Sequence, residues 1–511
     1  MNPIKVGSLK QLFVDEMFIE SSFGVKLVMN RPYQFTDSVL TAEGSSEIES
    51  QMSLGIYSSV LKEDDGRVRI WYHSCKAVNG SINPAHIGYA ESVDGIHFTK
   101  PKLSSIKEEG SIFSNIAIAG KFGGSSVWID PNAPREERYK SQTKVYDSDV
   151  SMQFHMHSSS DGLDWRFLRR IKLEQRGGWD TQSVIFWDPA IGRYLLFTRH
   201  WFAKRHSTAE GNENYRTVRR LESDDLINWE NQRIVMWPDD KDRATYETDH
   251  PLNSAAPENP SGLVPVDYYG ATVFKYPDPD GVYLMLANAN WSWYDRATVV
   301  TTVRDDLDAV REETQRIHGP SRFDARLSVS RDGANFQRCG GRGAFISPGP
   351  EGSFSSRMIW ALPNPILMGD EIWIYYSGTN RDHDNIVDPA AEGHLTGIGR
   401  AVLRLDGFVS ADACYEGGEI ITPILQFEGN QLEINVDTGG GGSVRVEFQD
   451  AYRRPVEGYT KEEASFMCGN SVRMRVRWGK SSDVSKLAGK LIRIRFILRD
   501  CKLYAFQFTN T

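Results

Sequence analysis

The sequence predicts an all-β protein in which a five-bladed β-propeller is followed by a C-terminal antiparallel β-sandwich. Three observations favour this fold class. A short turn phrase recurs as far as residue 408, and a second series of apolar hairpins interleaves with it. Beyond residue 408, the chain changes to strict alternation of apolar and polar side chains. Repetition of one hairpin at long intervals indicates a repeated β unit.

The turn phrase consists of a Ser, an Asp two residues later, usually a Gly, and then an aromatic residue. It occurs at residues 92–98, 159–165, 223–229 and 330–336, and a looser copy without the Ser occurs at 404–408. Gly accepts a positive φ and Asp can bond to its own backbone, so Asp-Gly between apolar runs predicts a tight hairpin.

The second series supplies the inner part of each unit. Runs of small and β-branched residues are each followed, after a turn, by a strand rich in aromatic residues. The runs are residues 56–61, 125–129, 183–187, 271–276 and 358–362. Five units with two kinds of hairpin predict four-stranded sheets arranged about an axis, which is a five-bladed propeller. A large β-sandwich with ordinary turns is the alternative.

We place the propeller at residues 1–408 and the sandwich at 409–511. Alternating strands lie at 443–448, 472–478, 491–497 and 503–508, and the first three carry Arg on one side, which is either a solvated sheet face or a carbohydrate or polyanion surface. Residues 301–317 predict the one helix, inserted between units four and five. Residues 11–20 predict a strand that closes the ring against the last unit, near residues 397–405.

Composition restricts the class of partner. The net charge is −9, and Lys and Arg are not clustered, which argues against a nucleic-acid surface. The five cysteines are scattered without metal-ligand spacing, as expected for reduced core thiols: Cys75, Cys339, Cys414, Cys468 and Cys501. The start of the chain lacks a leader pattern and no long apolar run occurs, so we expect a cytoplasmic protein without a membrane partner. Whether the protein forms a homo-oligomer is left open.

The candidate site follows from the propeller geometry, because residues just before the inner strands crowd one mouth of the channel. Several carboxylates at one mouth suit glycoside hydrolysis, in which one acid protonates the leaving oxygen and another carboxylate attacks or activates water. The candidate catalytic residues are Asp180, Glu351, Glu49, Asp267 and Asp15. The candidate substrate-binding residues are Trp179, Gln182, Arg199, His200 and Tyr268. For each carboxylate, the alternative is the capping of a turn.

No cofactor or metal motif is present. The His residues lack the spacing of zinc hydrolases, and neither a nucleophile elbow nor a phosphate loop occurs. We therefore expect no organic cofactor. A Ca²⁺ ion in the channel is left open, since convergent carboxylates would suit it.

Several stretches resemble a large bacterial group of glycoside-hydrolase-like proteins, similar to the five-bladed propeller clans of β-fructofuranosidases and arabinanases. They are residues 12–16 (Leu-Phe-Val-Asp-Glu), 130–134 (Asp-Pro-Asn-Ala-Pro), 137–140, 179–182 (Trp-Asp-Thr-Gln), 350–354 and 503–508. In those clans, carboxylates from an early, a middle and a later blade act as base or nucleophile, as support and as acid. The resemblance implies Glu49 or Asp15, then Asp180, then Glu351 or Asp267.

Two features depart from those clans. The Trp-x-Asn-Asp-Pro-Asn-Gly motif and the Glu-Cys pair are missing, and Ser355 stands in register with Asp180 in unit five. We expect a glycosidase acting on a short oligosaccharide, with fructosides or arabinosides favoured. The alternatives are a carbohydrate-binding protein without turnover, which Ser355 favours, and a glycosyltransferase or phosphorylase in which Arg199 and His200 hold phosphate.

Overall fold

The computed structural model describes most of the chain. The described residues are 3–41, 52–78, 81–103, 115–120, 122–147, 150–171, 181–204, 213–239, 241–242, 266–277, 280–294, 298–302, 311–315, 318–382 and 395–510. They form two compact units. The sandwich unit comprises Met1–Pro32, Leu367–Ile372 and Val402–Thr511, and the propeller unit comprises Tyr33–Ile366 and Trp373–Ala401.

The strands follow one another in the order of the two units. The first four belong to the sandwich unit: β1 (Ile4–Gly7), β2 (Gln11–Leu12), β3 (Ser21–Phe23) and β4 (Val25–Met29). The propeller unit begins with β5 (Tyr33–Gln34) and β6 (Leu40–Thr41). Blade one contains β7 (Met52–Lys62), β8 (Val68–Val78), β9 (Ser81–Ser92) and β10 (Ile116–Ile118). Blade two contains β11 (Phe122–Ile129), β12 (Tyr139–Asp147), β13 (Val150–Ser159) and β14 (Arg166–Ile171).

The remaining blades repeat this plan. Blade three contains β15 (Val184–Asp188), β16 (Arg193–Lys204), β17 (Glu213–Ser223) and β18 (Glu230–Met236). Blade four contains β19 (Val266–Tyr276), β20 (Val282–Tyr294), the inserted pair β21 (Thr298–Thr302) and β22 (Arg311–Gln315), then β23 (His318–Ser330) and β24 (Gln337–Arg338). Blade five contains β25 (Met358–Ala361), β26 (Ile366–Met368), β27 (Glu371–Thr379) and β28 (Thr396–Arg404). The five predicted blades are thereby confirmed.

The last six strands complete the sandwich unit. They are β29 (Val409–Ala413), β30 (Gly418–Ile421), β31 (Leu425–Phe427), β32 (Gln431–Asp450), β33 (Asn470–Arg475) and β34 (Ile492–Thr509). Short 3₁₀ turns within the described chain lie at Glu16–Phe18, Arg135–Glu137, Gly340–Arg342 and Ser485–Leu487. None of the helices in the described part of the chain has the length and apolar character needed to cross a membrane.

The inner strands meet at the propeller axis through small residues. The backbone N–H of Val127 donates to the Ser59 hydroxyl at 3.0 Å, which joins blades one and two. The Thr272 hydroxyl donates to the carbonyl of Ala361 at 2.7 Å, which joins blades four and five. These two bonds hold inner strands of neighbouring blades together.

The turn phrase forms the predicted hairpins between the third and fourth strands of blades one to four. In each, the Ser hydroxyl donates to the Asp carboxylate, and that carboxylate accepts two backbone N–H bonds from the following residues. Gly95, Gly162 and Gly333 adopt positive φ. Leu226 occupies the equivalent position in blade three at φ 63, so the turn keeps the left-handed conformation there without Gly.

Ring closure differs from the prediction. Strand β28 of blade five pairs with β5 and β6, with Ile398 opposite Leu40, so residues 33–41 close the ring. Residues 11–20 belong to the sandwich unit, where Gln11 pairs with Phe506. The predicted boundary at residue 408 therefore needs a correction, because the first 32 residues fold with the C-terminal part of the chain.

The helix prediction for residues 301–317 was wrong where the structure describes them. Strands β21 and β22 pair antiparallel, with Thr302 opposite Arg311. This hairpin is inserted within blade four, between β20 and β23, rather than between units four and five. Its first strand reads Thr-Val-Val-Thr-Thr, a β-branched run that favours a strand.

The sandwich unit is built on the long strands β32 and β34. Residues 439–442 of β32 stand opposite one residue of β34, Asp500, because Thr438 pairs with Cys501 and Ser443 with Arg499. Such a bulge bends both strands and lets one sheet fold over a core. Aromatic side chains fill that core: Phe13, Phe18, Phe427, Phe448, Phe496, Phe506 and Phe508. Cys501 is buried, whereas Cys339 is partly exposed and Cys414 and Cys468 are exposed, contrary to the expectation of core thiols.

Candidate functional site

One end of the propeller collects the starts of the inner strands, and we call this end the mouth. Strand β15 starts at Val184, β19 at Val266 and β25 at Met358, so Gln182, Asp267 and Arg357 all lie at the mouth. Among the residues predicted for the site, Glu49, Trp179 and Asp180 lie outside the described residues. Their roles stay predictions from the sequence.

Asp267 is buried at the mouth and held by Arg216. Its Oδ1 accepts the backbone N–H of Arg216 at 3.1 Å, and its Oδ2 accepts from the guanidinium of the same residue at 2.7 Å. Two such donors fix the position of the carboxylate. Asp267 can therefore supply a fixed negative charge to the mouth.

Two guanidinium groups lie against Tyr269. The Cζ atoms of Arg199 and Arg216 are each 4.8 Å from the centre of the Tyr269 ring. Tyr57 of blade one is also buried in this group, and burial raises the pKa of its phenol well above the usual value. Burial lowers the pKa of Arg199, while the neighbouring phenols oppose that change. The two arginines thus make cation–π contacts with the ring of Tyr269.

Aromatic side chains from three blades continue this group beneath the mouth. Tyr57, Tyr269, Phe323 and Trp360 pack together, with the rings of Phe323 and Trp360 4.4 Å apart and those of Tyr269 and Phe323 5.4 Å apart. Such a floor keeps water from the polar groups around it and strengthens their electrostatic interactions.

Lys144 of blade two contributes a buried amine. Its Nζ donates to the backbone carbonyl of Thr181, the residue that follows Asp180 in the chain. Burial, together with the charges of Arg199 and Arg219, holds the pKa of Lys144 well below its usual value. The described mouth thus holds a buried amine beside the guanidinium groups of Arg199 and Arg219.

Three of the predicted binding residues have other surroundings. Gln182 donates from Nε2 to the carbonyls of Ser58, at 2.7 Å, and Ser125, at 3.2 Å, so it ties three blades together at the axis. Tyr268 packs in the core of blades three and four and its hydroxyl donates to Asp242 at 3.2 Å, so its neighbour Tyr269 is the tyrosine of the mouth. His200 is half-buried, and burial, assisted by Arg219, lowers the pKa of its imidazole.

Glu351 is exposed and lies beside a second carboxyl group, Asp382. The Glu351 carboxylate accepts from Arg357 at 3.3 Å, immediately before inner strand β25. Burial raises the pKa of Asp382, and the charge of Glu351 acts in the same direction, whereas Arg357 opposes it. The described residues offer the Oδ1 atom of Asp382 no hydrogen-bond donor, although this atom is buried. The pKa of Asp382 is therefore raised by burial, although a backbone hydrogen bond from Ser321 and the charge of Arg322 also oppose the shift.

Asp15 does not belong to the propeller unit. It lies in the sandwich unit, where its carboxylate accepts the backbone N–H of Met17 at 3.0 Å and caps a 3₁₀ turn. This is the turn-capping alternative that the sequence left open, and it corrects the assignment of Asp15 to the propeller mouth.

Sequence reasoning missed Arg216, Tyr269, Lys144 and Asp382. Asp382 follows the aromatic-rich strand at residues 372–376, in the stretch Arg381-Asp-His-Asp. A carboxylate that follows the second strand of a blade could have been counted among the candidate site residues. Tyr269 could not be separated from Tyr268, because a register shift lies between Tyr268 and Gly270. In the described part of the chain, no group of three His, Cys, Asp or Glu side chains could hold a metal ion.

The comparisons with known proteins bear on the fold alone. No family model and no curated protein matches the chain. Solved structures similar to it include an N-acetylgalactosamine deacetylase from F. plautii in complex with blood group B trisaccharide, at 15% identity and a TM-score of 0.46, covering 75% of this chain and 96% of that one. A β-1,2-mannobiose phosphorylase from Listeria innocua has 12% identity and a TM-score of 0.43, with coverage of 75% and 97%. An α-L-arabinanase from Penicillium chrysogenum, complexed with arabinobiose, has 10% identity and a TM-score of 0.36, with coverage of 75% and 99%. The five-bladed propeller that the family resemblance implied is confirmed by the blades of the structure itself.

Proposed function

We propose that the protein is a glycosidase whose reaction takes place at the propeller mouth. The observation that carries this proposal is a pair of carboxyl groups in opposite surroundings on neighbouring blades. Asp267 accepts two hydrogen bonds from Arg216, whereas burial raises the pKa of Asp382. A carboxyl group with a raised pKa, together with a second carboxylate held in place by donors, suits the acid and its partner in glycoside hydrolysis.

Each carboxyl group then has a role. Asp382 retains a proton and donates it to the leaving glycosidic oxygen. The Asp267 carboxylate, which Arg216 holds in place, stabilises the positive charge that develops on the sugar ring, or accepts a proton from the attacking water. The aromatic floor of Tyr57, Tyr269, Phe323 and Trp360 excludes water beneath these groups and would also accept the C–H face of a sugar ring.

The substrate we propose is a short oligosaccharide in the cytoplasm, and fructosides or arabinosides come first because of the family resemblance. Glu49 and Asp180 remain proposed participants on the strength of the sequence. Trp179 remains a proposed sugar-stacking residue on the same grounds. Glu351 is the alternative acid, since it lies beside Asp382.

A screen with aryl glycosides and with natural fructo- and arabino-oligosaccharides tests the proposal. We expect turnover of at least one substrate and a loss of about 10²–10⁴-fold in kcat for Asp382→Asn, which removes the proton donor. Glu351→Gln separates the two acid candidates. Asp188→Asn is the control, because Asp188 is more deeply buried than Asp382 and pairs with Lys275 at the opposite end of its strand. Unchanged activity in both Asp382→Asn and Asp267→Asn would exclude this site.

A second candidate is cleavage by phosphate, and the cationic mouth favours it. Arg199, Arg216 and Arg219 all lie there, and planar guanidinium groups bind phosphate through paired hydrogen bonds. Product analysis with and without inorganic phosphate decides between the two reactions. Formation of a sugar 1-phosphate, abolished by Arg199→Met, would replace hydrolysis by phosphorolysis.

A further inference from the structure

The solvent-facing side of the sandwich sheet carries a continuous row of side chains across four strands. Phe23 of β3 pairs with Glu419 of β30, Glu419 pairs with Ile497 of β34, and Ile497 pairs with Arg445 of β32. Paired residues in antiparallel strands point to the same side. With strands about 4.8 Å apart, the row extends over about 14 Å. Arg499 lies two residues beyond Ile497 on this same side, opposite Ser443.

The opposite side of the same strands is the core. Ile494, Phe496 and Leu498 of β34 are buried, whereas Arg499 is exposed and Arg495 and Ile497 are partly exposed. The row therefore belongs to the solvated surface of the sandwich unit, and we call it the arginine face.

Three large aromatic side chains stand on the arginine face or at its edges, and each is mostly exposed. Phe23 is 76% exposed, Phe466 is 73% exposed and Tyr415 is 59% exposed. Single exposed apolar residues are ordinary, but several on one small face mark a site of interaction. Flat rings are also the surfaces on which the C–H faces of sugars stack.

Guanidinium groups are placed over two of these rings. The Cζ of Arg445 lies 4.4 Å from the centre of the Phe466 ring, and the Cζ of Arg499 lies 4.1 Å from that of Tyr415. The Nε of Arg499 donates to the backbone carbonyl of Tyr415 at 3.0 Å, and Arg445 donates to the carbonyl of Lys461 at 3.3 Å. Backbone contacts thus fix the direction of both side chains.

The charges on this face are not balanced. Arg495 is paired with Glu419 at 2.5 Å and with Glu447 at 3.4 Å. Within the part of the chain that the structure describes, neither Arg445 nor Arg499 has a carboxylate partner. The net charge of the protein is −9, and these two cations have no carboxylate partner among the described residues. They therefore favour the binding of an anionic ligand.

We propose that the arginine face binds an acidic oligosaccharide, with sugar rings stacked on Tyr415, Phe466 and Phe23 and with uronate carboxylates on Arg445 and Arg499. Guanidinium groups bind carboxylates through two parallel hydrogen bonds, and aromatic rings select sugars by their apolar faces. This site lies in the sandwich unit and does not depend on the proposed reaction at the propeller mouth. It retains an acidic glycan without cleaving it.

Isothermal titration of the full-length protein with oligogalacturonides tests this assignment, with neutral arabino-oligosaccharides of the same length as comparison. We expect binding of the acidic oligomer that weakens with added salt. Tyr415→Ala, Phe466→Ala and Arg499→Gln should each raise the Kd by about tenfold, the equivalent of one lost stacking or charged contact. These side chains are exposed, so thermal unfolding should show that the variants fold.

Tyr452→Ala is the matched control. Tyr452 is 81% exposed and has Arg454 5.3 Å from its ring, but Arg454 is neutralised by Asp450 at 2.7 Å. The Kd of Tyr452→Ala for the acidic oligomer should equal that of the wild type. Asp382→Asn should also bind the acidic oligomer with the wild-type Kd, which separates the arginine face from the propeller mouth. Absence of binding, equal affinity for neutral oligomers, or an equal loss in Tyr452→Ala would overturn the proposal.

Discussion

The indole N–H of Trp71 donates a hydrogen bond to the backbone carbonyl of Gly162 at 2.8 Å, although 91 residues separate the two. Trp71 lies on the second strand of blade one, and Gly162 lies in the Ser-x-Asp-Gly turn of blade two. Tyr375 of blade five makes the same kind of bond to the carbonyl of Gly95 in the turn of blade one, also at 2.8 Å. The repeated turns therefore fasten each of these blades to its neighbour.

Gly162→Ala should destabilise the propeller by about 1–3 kcal/mol, the usual range for overpacking of a core. Gly162 has φ +76, and an added Cβ would approach the Trp71 ring to 2.7 Å. The free energy of unfolding measured with urea checks this expectation. The matched control is Gly192→Ala, which has φ +65 but nothing within 4 Å of its added Cβ. An equal loss in both variants would mean that backbone strain, rather than the contact with Trp71, is responsible.

Asp225→Asn should remove an acid-sensitive part of the stability. Hydrogen bonds from the backbone N–H groups of Asn228 and Ile227 lower the pKa of Asp225 to about 2. A lowered pKa means that the stabilisation is present above the unfolded value of 3.8 and is lost as the pH falls through about 2. Urea unfolding between pH 7 and pH 2.5 should show the two proteins converging at the acid end. Asp224→Asn, which changes the neighbouring exposed carboxylate, should show a smaller difference at pH 7.

The blades could be predicted because their signals are local. Asp and Gly set the turn in the residues that form it, and small residues mark the inner strands whether or not the partner strand is known. Ring closure had no such signal. The apolar run of residues 12–14 fits either unit equally well, and only the packing of Phe13 between Phe496 and Phe506 assigns it to the sandwich core.

The candidate site was harder to predict, because side-chain direction depends on register. Strand alternation would have placed Tyr268 and Tyr269 correctly in a regular strand, but the shift between Tyr268 and Gly270 breaks it. Asp267 was found because it precedes an inner strand. Its partner Arg216 comes from the third strand of the preceding blade, a pairing that no sequence spacing predicts.

Asp382→Asn should increase stability at neutral pH while it lowers activity. Burial raises the pKa of Asp382, so its contribution to stability is complete below the unfolded value of 3.8 and is lost as the pH rises through the folded value. Above the folded-state pKa, the folded wild type holds an ionised carboxylate in poorly solvated surroundings, which costs free energy. The neutral side chain of Asn avoids this cost. The melting temperature of the variant should exceed that of the wild type at pH 7, and the difference should vanish near pH 3. A lower melting temperature at pH 7 would show that the carboxylate has a stabilising partner instead.

Lys144→Met should likewise stabilise the fold and reduce activity, but with the opposite dependence on pH from Asp382. Burial lowers the pKa of Lys144 far below the unfolded value of 10.5, so the wild type is most stable above that pH and loses stability as the pH falls. Met fills a similar volume without an amine, so its advantage over the wild type should be larger at pH 7 than at pH 10. The cost to activity follows from the lost bond to the Thr181 carbonyl, beside the predicted catalytic Asp180. Thermal unfolding at both pH values, together with kcat on the best substrate, tests the two effects separately. Full activity in a stabilised variant would show that Lys144 does not position that segment.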